Sequence, residues 1–165
     1  MKKMVALCVI LLISMAHVFA QKIQFQDVSL QTTKNWSKKS QTEAMLRLDY
    51  QKASAKVQIY ALGKVSSEDA SKKMVEIFQS EKINPSLFSK AKQEKKKIGK
   101  QEVLLFEWED ILSLDSQNST LITSYQLYLF EKKGNKYYIL TMEYFLKEKG
   151  NSIKTEMNKL IATLK

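Results

Sequence analysis

The chain has 165 residues, with 27 lysines and arginines against 17 acidic residues, a formal net charge of +10, one histidine and one cysteine. Residues 1–20 are expected to be a secretory signal peptide, because two lysines precede an uncharged apolar run and Val18-Phe19-Ala20 places small residues at the cleavage site before Gln21. Cys8 and His17 both lie in this segment, so residues 21–165 contain neither a thiol nor an imidazole. That composition excludes Ser-His-Asp triads, cysteine nucleophiles and zinc sites built on histidine or cysteine.

Residues 21–165 are predicted to form a single exported domain, secreted or periplasmic in a bacterial envelope. With no cysteine available, this domain must be stabilised by its core alone. Its positive charge is almost entirely lysine, since Arg47 is the only arginine. Lysine lacks the planar fork that reads bases and phosphates, so no nucleic-acid partner is expected.

The first half of the domain is predicted to contain three strands and a helix. Alternating apolar residues predict one short strand over 23–30, then a polar segment over 32–40, then strands at 45–50 and 57–61 joined as a hairpin. Ser66 and the acids after it predict a helix start. The helix has an apolar face at Ala70, Met74 and Ile77, and Asn84–Pro85 is expected to stop it.

The second half is predicted to contain four strands and a C-terminal helix. The charge-rich segment 90–98 is typical of an exposed edge strand, and Gly99 is predicted to turn the chain into a strand at 103–108. Strands over 121–130 and 137–145 are joined by a tight turn at Gly134-Asn135. An amphipathic helix follows residues 150–152, with apolar residues at 153, 157, 160, 161 and 164.

The two long strands are apolar on both faces. One face is predicted to carry Tyr125, Leu127, Leu129, Leu140 and Met142. The other face is predicted to carry Ile122, Tyr128, Phe130, Ile139 and Phe145. A sheet that is apolar on both faces requires cover on both faces. The predicted fold class is therefore α+β, a mostly antiparallel sheet flanked by helices.

Four features resemble the PsbP-like superfamily, whose fold the Ran-binding Mog proteins share. Trp36 follows a short first strand, with Asn35 where the family has glycine, and a helix over 66–78 follows a strand hairpin. Ile98-Gly99 leads into the strand at 103–108, and the strand that starts at Tyr137 precedes the final helix. The resemblance implies an α/β/α sandwich that docks to protein complexes, often at membranes, with no transferable catalytic residues.

The strongest binding candidates are the lysines of the charge-rich segment, which are suited to anionic lipid headgroups, acidic glycans or an acidic protein. These are Lys90, Lys92, Lys95, Lys96, Lys97 and Lys100. Trp36 is a further candidate, and Tyr125, Tyr128, Tyr137, Tyr138 and Tyr144 either line a docking face with it or pack in the core.

The function predicted from these features is that of an exported, non-enzymatic binding or accessory domain that docks to an envelope component or an acidic partner, with no cofactor and no metal. One alternative is a hydrolase of an envelope polysaccharide or ester that uses Glu107 and Glu109. The same two residues also fit a solvent-facing strand surface opposite Leu104, Phe106 and Trp108. Another alternative is a carrier for a small apolar ligand.

Overall fold

The computed structural model describes residues 21–80, 90–114, 119–145 and 150–165. The predicted signal peptide, residues 1–20, and the predicted helix stop at Asn84–Pro85 lie outside the described residues. The strands are β1 (Gln21–Phe25), β2 (Val28–Thr32), β3 (Trp36–Gln41), β4 (Met45–Tyr50), β5 (Ala55–Lys64), β6 (Lys92–Ile98), β7 (Gln101–Leu114), β8 (Ser119–Lys132) and β9 (Lys136–Phe145). The helices are α1 (Ser67–Ser80) and α2 (Gly150–Ala162).

Seven of these strands form one antiparallel sheet, in the order β3-β4-β5-β9-β8-β7-β6. The sheet consists of two meanders, β3 to β5 and β6 to β9, which are joined where β5 pairs with β9. The connection that contains α1 carries the chain from β5 to the far edge at β6. Strands β1 and β2 form a separate hairpin. The predicted α+β fold with a mostly antiparallel sheet is confirmed.

Helices cover both faces of the sheet, which forms the middle of three layers. On the first face, here the α1 face, Met74 packs with residues of β7, β8 and β9 such as Leu127 and Ile139. On the opposite α2 face, Met157 and the β1–β2 hairpin pack against residues such as Leu140. Because both faces of the sheet are covered, the side chains of β8 and β9 are apolar on both faces.

The assignment of β9 residues to the two faces was wrong by one position. A turn confined to Gly134 and Asn135 would pair residue 129 with residue 140. The turn instead takes three residues, with Lys132 opposite Lys136, so Tyr128 lies opposite Leu140. Because side chains alternate along a strand, this shift exchanges the faces. Leu140 and Met142 therefore lie on the α2 face with Tyr128 and Phe130, and Ile139 lies on the α1 face with Leu127 and Leu129.

The N-terminal region also differs from the prediction. The expected single strand over 23–30 is the β1–β2 hairpin, in which Gln26 turns the chain with a φ of 50°. This turn places Phe25 and Val28 in the same core, which explains the interrupted alternation. The polar segment 32–40 contains most of β3, which pairs with the outer side of β4. Pairing with β4 satisfies the backbone groups on one side of a segment whose side chains gave no strand pattern.

Hydrogen bonds mark the start of α1 and anchor the segment that follows α2. The Asp69 N–H donates to Ser66 Oγ at 3.1 Å, which is the predicted N-cap of α1. After α2, the backbones of Ser29 and Lys165 exchange two hydrogen bonds of 2.9 and 3.0 Å, so the segment after the helix is tied to β2. Neither described helix has the length and apolar character that crossing a bilayer requires.

Candidate binding surfaces

The predicted lysine segment forms one edge of the sheet. Strand β6 pairs with β7 and ends the strand order, which confirms the prediction of an edge strand. Residues 92–97 are all exposed, and Ile98 at the end of the strand is buried. Lys90, Lys92, Lys95, Lys96, Lys97 and Lys100 are exposed, and together they are called the lysine edge below. The structure therefore brings all six predicted lysines to one surface.

The lysine edge presents charge on both faces of the sheet. Lys92 and Lys96 lie on the α2 face, and Lys95 and Lys97 lie on the α1 face. The four span about 17 Å along the strand. Glu94 is the only acid in β6, and the register with β7 places Lys95 and Lys96 opposite apolar residues. The strand is therefore a short, extended row of positive charge.

The charge of this edge is not neutralised within the described residues. Elsewhere, lysines form ion pairs, for example Lys56 with Glu143 at 2.9 Å and Lys136 with Asp27 at 2.6 Å. In the described part of the chain, the lysines of β6 form no such ion pair. As far as the described residues are concerned, an anion could bind at this edge without breaking an ion pair.

Trp36 lies far from the lysine edge. It begins β3, the opposite edge strand of the sheet, about 29 Å away across the seven strands. Its side chain is 4% exposed, and its ring centroid lies 5.1 Å from that of Tyr50 in a tilted arrangement. Trp36 and the lysine edge therefore cannot contact the same small ligand.

Trp36 lines a small cleft between β2, β3 and α2. The cleft has a volume of about 160 Å³, and Glu156 and Lys159 also line it. Lys159 Nζ donates to Glu156 Oε1 at 3.1 Å, and Thr33 Oγ1 donates to Glu156 Oε2 at 3.5 Å. Burial raises the pKa of Tyr50, and the nearby Glu156 carboxylate raises it further. The volume is below the several hundred Å³ of most ligand pockets.

The two carboxylates of the hydrolase alternative lie in different environments. Glu109 is exposed, whereas Glu107 is half-buried. Gln126 Nε2 donates to Glu107 Oε1 at 2.5 Å, and Tyr128 Oη donates to Gln126 Oε1 at 3.1 Å. Burial raises the pKa of Tyr128, and the Glu107 carboxylate adds to the rise. The expectation that Glu107 faces solvent is therefore wrong, because this chain of buried side chains holds it in place.

The comparisons with known proteins concern the fold. No protein-family model and no curated protein matches the sequence. Among solved structures, the Ran-binding protein Mog1p of Saccharomyces cerevisiae is similar, with a TM-score of 0.52. The match covers 88% of this chain and 94% of Mog1p, at 5% sequence identity. The chain has a Mog1p-like fold. The predicted likeness to the fold of the Ran-binding Mog proteins is confirmed, and an identity so low shows the fold alone.

The Mog1p-like fold also brings together a charged cleft that sequence analysis missed. Its volume is about 330 Å³, and it lies at the ends of β4, β5 and β9. Arg47 Nε contacts Asp49 Oδ1 at 2.7 Å, and Lys56 Nζ contacts Glu143 Oε2 at 2.9 Å. Each of these two cations is thus in an ion pair, whereas no β6 lysine forms one within the described residues. Only the two-residue spacing of Arg47 and Asp49 could have indicated part of this cluster from the sequence.

A second missed group ties the β1–β2 hairpin to the sheet. Asp27, in the hairpin turn, accepts from Lys136 Nζ at 2.6 Å and from Tyr138 Oη at 3.4 Å. The hydrogen bond from Lys136 holds the pKa of Asp27 below its usual value. The predicted core alternative is confirmed for Tyr128, Tyr138 and Tyr144, which are buried, whereas Tyr125 and Tyr137 are half-buried.

Neither cleft described above supports the apolar carrier, because each is open to solvent and has charged residues in its lining. The carrier alternative stays a prediction. In the described ranges, no group of three or more histidine, cysteine, aspartate or glutamate side chains is placed to hold one metal ion.

Proposed function

We propose that this protein is a non-enzymatic binding domain that docks to an anionic partner through its lysine edge. The observation that carries this proposal is the position of β6, an edge strand with six consecutive exposed residues, four of them lysines. Opposite charge on a partner would be attracted to this edge from a distance.

Ion pairs within the chain make the two clefts less suitable than the lysine edge for binding an anion. In the clefts, lysine and arginine side chains already contact carboxylates of the same chain. A ligand there would have to replace contacts of 2.7 to 3.1 Å. The β6 lysines form no contact of this kind within the described residues. Association there would be electrostatic, so it would weaken with salt.

The fold is consistent with a docking role. Mog1p, which has a similar fold, is a Ran-binding protein. We extend to this chain only the general property of binding a partner, and we place that partner in the bacterial envelope because residues 1–20 read as an export signal.

The arrangement of Glu107 and Glu109 supports the carboxylate hydrolase less well than the docking function. Acid–base cleavage of a glycosidic bond uses two carboxyl groups that flank the reacting bond. Here Glu107 is held by Gln126, and Glu109 is exposed. One carboxylate is therefore half-buried and the other is exposed, so neither is fully enclosed.

The test compares two triple variants with the same change in charge. Lys95→Glu, Lys96→Glu and Lys97→Glu reverse the lysine edge. Lys34→Glu, Lys38→Glu and Lys39→Glu reverse three exposed lysines on or beside β3, at the opposite edge. The purified protein is titrated with phosphatidylglycerol vesicles, polyglutamate and polygalacturonate, which represent a lipid, a protein and a glycan partner.

We expect at least one probe to bind, and its affinity to fall about 100-fold in the β6 variant. Each lysine near an anionic surface contributes about 1 kcal/mol, and about 1.4 kcal/mol is a factor of ten. The β3 variant should lose much less. Equal losses would mean that net charge alone drives binding, and binding that ignores salt would refute the docking proposal.

A further inference from the structure

Among the described residues, the outer side of β6 is an unpaired strand edge. In an antiparallel pair, alternate residues direct their N–H and C=O groups toward the neighbouring strand and the others direct them away. Since β7 is the one neighbour of β6 within the described part of the sheet, alternate residues of 92–98 present backbone donors and acceptors outward. Such an edge accepts an additional strand where nothing prevents it.

The edge at β6 is regular, whereas the edge at β3 is not. All seven β6–β7 pairs, from Lys92 opposite Glu107 to Ile98 opposite Gln101, follow one uninterrupted register. The β3–β4 register shifts between Lys38 and Ser40. A bulge of this kind bends an edge strand and discourages further pairing. Of the two edges of the sheet, β6 is therefore the better template.

The lysines select which strand could be added. Like charges placed opposite each other destabilise a strand pair, and opposite charges stabilise it. Two β6 strands from two copies of this chain would bring lysines together, so self-pairing at this edge is disfavoured. A strand rich in glutamate or aspartate would instead place carboxylates beside lysines on both faces of the sheet.

The two-sided distribution also favours a peptide over a flat membrane. Lys92 and Lys96 leave β6 on the α2 face, and Lys95 and Lys97 leave it on the α1 face. An extended peptide has the same alternation, so its consecutive side chains reach both sets. A bilayer surface offers charge in one plane and has no backbone to pair with the strand.

We propose that the partner supplies an acidic, extended segment that adds to β6 as an eighth strand of the sheet. This inference rests on the docking function proposed above and specifies its partner as a protein. Affinity would come from backbone hydrogen bonds along residues 92–98, and selectivity from the lysines on the two faces.

The test uses an acidic peptide and two N-methylated versions of it. The parent is an eight-residue peptide of glutamate and valine, with blocked ends. In one version alternate amide nitrogens are methylated, which leaves one edge of the peptide able to pair with β6, and in the other every amide nitrogen is methylated, so that neither edge can donate to the strand. Binding to the purified protein is measured by fluorescence polarisation at low salt, with the β6 and β3 triple variants as controls.

We expect the fully methylated version to bind at least tenfold more weakly than the parent and the alternately methylated version to bind about as well as the parent. The parent should bind the β3 variant normally and the β6 variant weakly. In the bound protein, amide hydrogen exchange at alternate residues of 92–98 should slow.

Other results would overturn strand addition in distinguishable ways. If both methylated versions bind like the parent, or both fail, the peptide does not pair as a strand, although docking to acidic groups stands. If phosphatidylglycerol vesicles or polygalacturonate bind through β6 and the peptide does not, the partner class is wrong. If no anionic probe binds, the docking function itself is refuted.

Discussion

Replacing Trp36 distinguishes a core residue from a contact residue. The side chain is 4% exposed, and its ring lies 5.1 Å from the ring of Tyr50. A buried aromatic side chain of this kind covers about 150–250 Å². At about 25 cal/mol per Å², its transfer from water contributes about 4–6 kcal/mol. We therefore expect Trp36→Ala to lower the free energy of unfolding by about 3–5 kcal/mol, out of the roughly 5–15 kcal/mol of a typical domain.

The more informative variant is Trp36→Phe, which keeps an aromatic ring. We expect it to cost about 1–2 kcal/mol, because part of the indole volume is left empty. Urea denaturation followed by far-UV circular dichroism measures this loss, and the variant has Trp108 as its one remaining tryptophan, which provides a separate fluorescence signal. Binding of polyglutamate, measured well below the unfolding midpoint, should not change.

The opposite pattern would contradict this reasoning. Suppose that the free energy of unfolding of Trp36→Phe lies within about 0.5 kcal/mol of that of the unmodified protein, as for ordinary surface substitutions. If this variant nevertheless binds polyglutamate ten times more weakly, then Trp36 is a contact residue. Trp36 would then contribute to polyglutamate binding although it lies at the edge of the sheet opposite the lysine edge.

Two further predictions concern hydrogen-bonded groups. Tyr128→Phe and Gln126→Leu should each lower stability by about 1–3 kcal/mol in urea denaturation, since each leaves a buried polar partner unmatched. The double variant should lose less than the sum, and strict additivity would rule out the coupling. The second group is Asp27, whose pKa in the folded state is lowered by Lys136. Its contribution to the free energy of unfolding is therefore present above the unfolded-state pKa and is lost as pH falls through the folded-state pKa. Asp27→Asn should therefore flatten the acid limb of the unfolding midpoint between about pH 5 and pH 2, and identical acid limbs would exclude this role.

The sequence predicted the features that depend on neighbouring residues. The lysines of 92–97 and the turn at Gly99 identified an exposed edge strand, because charge on consecutive residues is incompatible with a buried strand. Ser66 identified the start of α1 in the same way. These signals need no knowledge of the rest of the fold, which is why they were reliable.

Features that depend on distant parts of the chain could not be predicted. One extra residue in the turn between β8 and β9 exchanged the faces of Leu140 and Ile139, and nothing in a strand's own pattern reports the length of the turn beside it. The cleft at Trp36 requires α2 to pack against β3, two elements separated by most of the domain. The hydrogen bond that holds the half-buried Glu107 likewise depends on Gln126, a residue of the neighbouring strand.

The pairing of β5 with β9 has a consequence for how the molecule folds. Residues 55–64 acquire their second neighbour only when residues 136–144 are present, so the centre of the sheet cannot close until nearly all of the domain has been synthesised. Pairings over such long separations slow folding, since chain entropy is lost before contacts compensate it. Until then, β5 lacks the neighbour that β9 later provides, whereas β8 waits only for the residues that directly follow it. A chaperone that binds extended apolar segments would therefore have its longest opportunity at β5.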